Sequence, residues 1–109
     1  MSLNTLIIKT LNDIAPVYPD VCNDDSQERY FVFNYNSWGG EFADDEPEHD
    51  IDFVQIHFFC PLKENTVSLR NTVKKRLRDA GFTHPSYTNI TDETGQHLVF
   101  ECEYAEAVE

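Results

Sequence analysis

The chain has 109 residues, 40% hydrophobic and 13% aromatic, and its 8 Lys+Arg against 20 Asp+Glu give a formal net charge of -12. That length holds one core with little room for a deep cleft, and the apolar content is too high for a disordered acidic chain. No apolar run approaches the ~20 residues of a membrane span, so one domain over 1–109 with no membrane partner is expected.

Met1 to Lys9 has no basic region ahead of its apolar residues and no small-residue cleavage site, so a secretory signal is not expected. Leu3, Leu6, Ile7, Leu11 and Ile14 recur at helical spacing, with Ser2 as N-cap. Pro16, lacking a backbone N–H, is expected to stop that helix. Val17 to Val21 is a short extended stretch in which Pro19 marks a turn or a sheet edge, and Asn23 to Ser26 is a solvated loop.

Arg29 to Asn36 reads as a strand, with Phe31, Phe33 and Tyr35 on one face. A mobile acidic loop over 37–49 is expected next, from Gly39, Gly40 and a dense run of acids. Ile51 to Cys60 is a second strand, with Val54, Ile56, Phe58 and Cys60 on one face and Phe53, Gln55, His57 and Phe59 on the other. Large residues on both faces suit a central or oligomer-buried strand.

Asn65 or Thr66 opens a second helix whose narrow apolar stripe is Leu69, Val73, Leu77 and Ala80. Gly81, left-handed, and Phe82, folded back onto Leu77, are expected to close it as a Schellman motif. Tyr87 to Thr91 and Gln96 to Tyr104 form a hairpin around Asp92-Glu93-Thr94-Gly95, with Gly95 in positive φ, and 105–109 is expected to fray. The predicted order is α-β-β-β-α-β-β, an α+β fold with two amphipathic helices on a single antiparallel sheet.

The charge is unevenly placed. Arg70, Lys74, Lys75, Arg76 and Arg78 hold five of the eight bases, while Glu41, Asp44, Asp45, Glu46, Glu48, Asp50 and Asp52 crowd another short stretch. A solvated face is the commoner origin of such runs, but opposed segments also suit pairing between copies of one chain. Candidate interface residues are therefore Arg70, Lys74, Lys75 and Arg78 on the basic helix, and Trp38, Phe42, Asp44, Asp45 and Glu46 around the acidic loop.

Enzyme chemistry finds no support. The dinucleotide, P-loop, zincin and nucleophile-elbow motifs are all missing, so no catalytic residue and no cofactor is assigned. Cys22, Cys60 and Cys102 are odd in number and far apart, which fits a reducing compartment, and Cys60 and Cys102, on apolar strand faces, are expected to be buried and inert. Asp50-x-Asp52 begins like a calcium loop but lacks its glycine. His57 and His97 could meet on neighbouring strands with Asp52 or Glu101, but two polar residues on a solvated face is the plainer account, and no metal is assigned. The basic helix offers phosphate contacts, yet the rest of the chain is too acidic for a free duplex binder. DNA becomes a partner only where a ring of such helices encloses it.

In order, Val17-Tyr18-Pro19-Asp20 after the first helix, Tyr30-Phe31-Val32-Phe33, Val54-Gln55-Ile56-His57-Phe58-Phe59 before the helix ending at Leu77, and Asp92-Glu93-Thr94-Gly95-Gln96-His97 turning into Leu98-Val99-Phe100-Glu101 form one whole-chain pattern. It resembles the small tail-completion (tail-terminator, head–tail joining) proteins of long-tailed bacteriophages and prophages. The chain departs from that pattern at Arg29, where the family usually places a proline. The resemblance implies a virion structural protein, made in the cytoplasm of the bacterial host and ending in the virion tail. It implies a ring of copies, often a hexamer, that ends the tail tube and docks the head connector. The competing expectation is an acidic DNA mimic that inhibits a nucleic-acid-binding protein through Glu41 to Asp52.

Overall fold

A computed structural model describes residues 2–22, 28–38 and 49–107. Helix α1 (Leu3–Leu11) starts at Ser2, whose Oγ accepts from the Thr5 N–H at 3.1 Å. Leu3, Ile7 and Leu11, spaced by four, are its buried stripe. It ends at Leu11, earlier than the proline required: Asn12 caps it and residues 12–14 turn, which lets Ile14 pack on the core from outside the helix. Helix α2 (Val67–Asp79) buries Val73 and Leu77. Its C-terminus is the expected Schellman motif, with Gly81 at φ 103° and the Phe82 N–H donating to the Leu77 carbonyl at 3.0 Å. Phe82 joins the same core cluster as Leu77 and lies against Tyr104, ring centroids 4.9 Å apart.

Among the described residues, five strands form one sheet: β1 (Val17–Pro19), β2 (Tyr30–Trp38), β3 (His49–Cys60), β4 (Ser86–Asn89) and β5 (Gln96–Ala107). Their spatial order, β1-β2-β3-β5-β4, departs from chain order because α2 and β4 intervene before β5 returns to pair with β3. The sheet is mixed rather than purely antiparallel as expected. β1 runs parallel to β2, Val17 opposite Phe31, while every other pair is antiparallel. The cause is local. Asp20, in the left-handed conformation at φ 66°, turns the chain out of β1, and β2 starts at the sheet end where β1 began, with Phe31 opposite Val17. Arg29 anchors that start through Glu64 at 3.0 Å and the Ile14 carbonyl at 3.3 Å, with its guanidinium 5.4 Å from the Phe58 ring.

Both helices cover one face of the sheet. Phe31, Phe33, Val54, Ile56, Phe58, Leu98 and Phe100 are buried beneath them, the period-two pattern read from the sequence. β2 continues to Trp38 and β3 begins at His49, so these ends of the expected loop are strand; residues 39–48 lie outside the described residues. β5 likewise pairs with β3 through Ala107, where a frayed tail from residue 105 was expected. Gly95 does not take positive φ. Its lack of a side chain serves a close approach instead, since a Cβ there would lie 3.2 Å from the Cys60 carbonyl oxygen.

Candidate functional site: the open face and the three-stranded arm

Among the described residues the second face of the sheet carries no helix. Strand alternation puts Tyr18 of β1, Tyr30, Val32, Asn34 and Asn36 of β2, Ile51, Phe53, Gln55, His57 and Phe59 of β3, and His97, Val99, Glu101 and Glu103 of β5 on it. Register sets the partners. Tyr30 is opposite Phe59 and Phe59 opposite His97, forming a row of rings across three strands with centroids 5.0 and 4.3 Å apart. Tyr18 extends the row edge-on to Tyr30 at 6.4 Å. Such cross-strand aromatic pairs stabilise the sheet where no helix covers it.

His57 lies diagonal to His97, and its Nδ1 is 2.8 Å from His97 Nε2. The sequence raised this meeting, and the structure makes it. Burial, then the neighbouring imidazole, pushes the His57 pKa below 6.5, against a smaller upward pull from Glu101; burial likewise pushes His97 down, against Asp92. Both rings are therefore held toward the neutral form. Asp52 cannot join them, because its even position on β3 puts it on the helix-covered face, fully buried. Glu101 shares the open face but accepts from Gln55 Nε2 at 3.1 Å. Among the described residues no group of three His, Cys, Asp or Glu side chains is placed to hold a metal. Beside the pair is an open hollow of about 390 Å³ lined by Asp20, Cys22, Tyr30, Asn34, His57 and His97, among others.

The basic helix is engaged largely within the chain. Arg70 lies over the Tyr87 ring at 5.1 Å and donates to Thr66 Oγ1 at 3.1 Å, and Lys74 sits 5.4 Å from the same ring. Lys75 pairs with Asp79 at 2.8 Å, and Arg76 holds Asp13 of the α1 turn at 2.6 Å. These contacts tie α2 to β4 and to α1; Arg78 is exposed. Phe42, Asp44, Asp45 and Glu46 lie outside the described residues, as does the side chain of Trp38.

A feature that the sequence did not single out lies at one end of the sheet. β1 pairs only with residues 31–33 of β2, and β4 only with residues 98–101 of β5. Beyond them the sheet narrows to an arm of β2, β3 and β5, running from Tyr35–Trp38 through His49–Val54 to Cys102–Ala107. Thr83 covers the outer edge of β5 as far as Glu103 by two hydrogen bonds of 2.9 Å. Past that point no described strand pairs with either edge of the arm. Ile51 and Phe53 are 37% and 42% exposed on it. The signal was present in the composition of β3, whose outward residues are large and apolar, but locating the arm required the pairing limits of β1 and β4.

No protein-family model matches the chain, and no curated sequence matches it significantly. No helix among the described residues is long and apolar enough to cross a membrane.

Proposed function

We propose that this chain is a structural assembly protein of the phage tail-terminator type, whose copies form a ring that ends the tail tube and receives the head connector. The resemblance in sequence supplies the family. The observation that carries the assembly role is the three-stranded arm, with two strand edges open among the described residues and Ile51 and Phe53 exposed. Unpaired backbone donors and acceptors beside exposed apolar side chains template pairing with another chain. A contact between one subunit's arm and a different patch on its neighbour is heterologous, and such contacts form a ring when the rotation between neighbours closes.

The test is the double variant Ile51→Asp, Phe53→Asp. Both side chains are on the open face, so the fold should be retained, with a change in melting temperature of no more than a few degrees. Sedimentation should show wild-type oligomers and variant monomers, and complementation of a tail-terminator-deficient phage should give overlong tails with the variant. A wild-type chain that stays monomeric both alone and with purified tail tubes overturns the assembly role. Oligomers without any effect on tails would keep the ring and remove the tail.

A further inference from the structure

The meeting of His57 Nδ1 and His97 Nε2 at 2.8 Å has a consequence independent of ring assembly. Both atoms are metal donors when their rings are neutral. With metal–nitrogen bonds of about 2.0 Å, two cis nitrogens of a square plane lie about 2.8 Å apart and two of a tetrahedron about 3.3 Å apart. The observed 2.8 Å is a hydrogen-bond distance, and it brings the two nitrogens close enough for one ion to reach both. We propose that His57 and His97 form a two-imidazole chelate on the open sheet face for a divalent ion that favours tetragonal nitrogen ligation, Cu²⁺ ahead of Ni²⁺.

The strands hold the pair without help from a loop. His57 is opposite Val99 and His97 opposite Phe59 in continuous antiparallel pairing, so the two imidazoles are diagonal neighbours on the rigid centre of the sheet. Phe59, stacked on His97 at 4.3 Å, backs one ring. As the pair stands, one imidazole donates its proton to the other's lone pair. On chelation the donor ring moves that proton to its other nitrogen, and both rings bind as neutral ligands with no net proton release. A turn about the soft terminal torsion then aims both lone pairs at one point above the face. Burial already favours the neutral rings near pH 7, so protons compete weakly with the metal.

Among the described residues no third His, Cys, Asp or Glu completes the set. The remaining positions belong to water or an outside ligand entering through the hollow of about 390 Å³. A two-nitrogen site with open positions gives a first-row ion little beyond intrinsic affinity, which places Cu²⁺ at the head of the order.

The experiment uses untagged chain carrying Cys22→Ser, which removes the half-buried thiol lining the hollow as a competing ligand. Cu²⁺ is titrated against glycine as a weak competitor, by calorimetry and by electron paramagnetic resonance. One ion per chain is expected, with hyperfine coupling to two imidazole nitrogens and binding that weakens as pH falls below about 6. His57→Gln and His97→Gln keep a polar group for the remaining ring and should retain the fold by thermal melting. Each should raise Kd more than about 100-fold, beyond the 10- to 100-fold typical of outer-shell partners. His84→Ala should change nothing. Unchanged affinity in either Gln variant, loss in His84→Ala, or no stoichiometric binding by the folded chain would each overturn the site.

Discussion

Three residue-scale features set what the chain tolerates. Burial pushes the Cys60 thiol up to about 11, helped by Glu64, and burial pushes Cys102 up to about 12. Both should resist thiol reagents at pH 8 in the native state while half-buried Cys22 reacts, which a timed labelling with and without denaturant will read. The imidazole pair makes stability depend on pH in a definite direction. Its folded pKa values lie below the unfolded 6.5, so the unfolded chain binds protons first. The stabilisation is present above pH 6.5 and is lost as pH falls through the lower folded values. Melting temperature should drop as pH falls below 6.5, and less steeply in the double variant His57→Gln, His97→Gln. The Asp13 carboxylate adds a second loss at lower pH, because its hydrogen bond to Arg76 holds it below 3.8 in the folded chain.

Single side chains also join whole elements. Gln96, buried at the start of β5, donates through Nε2 to the Pro61, Leu62 and Glu64 carbonyls and accepts from Thr66 Oγ1 at 3.1 Å. It holds the connection from β3 into α2. Gln96→Ala would remove the partner of the part-buried Leu62 and Glu64 carbonyls and of Thr66 Oγ1, and should cost about 2 kcal/mol in chemical denaturation. Gly81→Ala should cost about 1 kcal/mol through its left-handed backbone alone. On α2, Arg70→Ala should destabilise more than Arg78→Ala, since Arg70 caps Tyr87 and Arg78 is exposed. The helices, the Schellman end and the alternation of β3 were legible because capping and periodicity are local. The parallel β1 was not, because its direction depends on the sheet end at which β2 starts. The basic run read as a free face, yet four of its five members make contacts within the chain: Arg70 and Lys74 on Tyr87 of β4 and Arg76 on Asp13 through the packing of α2, and Lys75 on Asp79 of its own helix. The imidazole pair was half-legible: strand parity put both rings on one face, but only the register made them diagonal neighbours.

For the molecule as a whole, the open sheet face and the arm leave apolar surface exposed among the described residues, Ile51 and Phe53 above all. With a net charge of -12, copies repel one another at long range, so any self-association must be held by contacts at close range. If the arm makes those contacts, raising salt from about 0.05 M to about 0.5 M should strengthen association by screening that repulsion. If the acidic and basic segments make them, the same salt series should weaken it; sedimentation distinguishes the two.

The pairing order also constrains how the chain can be made. β3 is the central strand, with β2 just ahead of it and its second partner, β5, following α2 and β4. On the ribosome, β2 and β3 can zip as soon as they emerge, but the other edge of β3 then stays bare until β5 clears the exit tunnel. For that interval Phe53, Val54, Ile56, Phe58 and Phe59 stay on a strand with one unprotected edge. Nascent chains stalled with β3 outside the exit tunnel and β5 still inside it should therefore be captured by chaperones that hold hydrophobic segments, and chains in which β5 has also cleared should escape them. Translation speed through α2 and β4 thus becomes a determinant of yield for a protein whose finished fold hides the vulnerable edge.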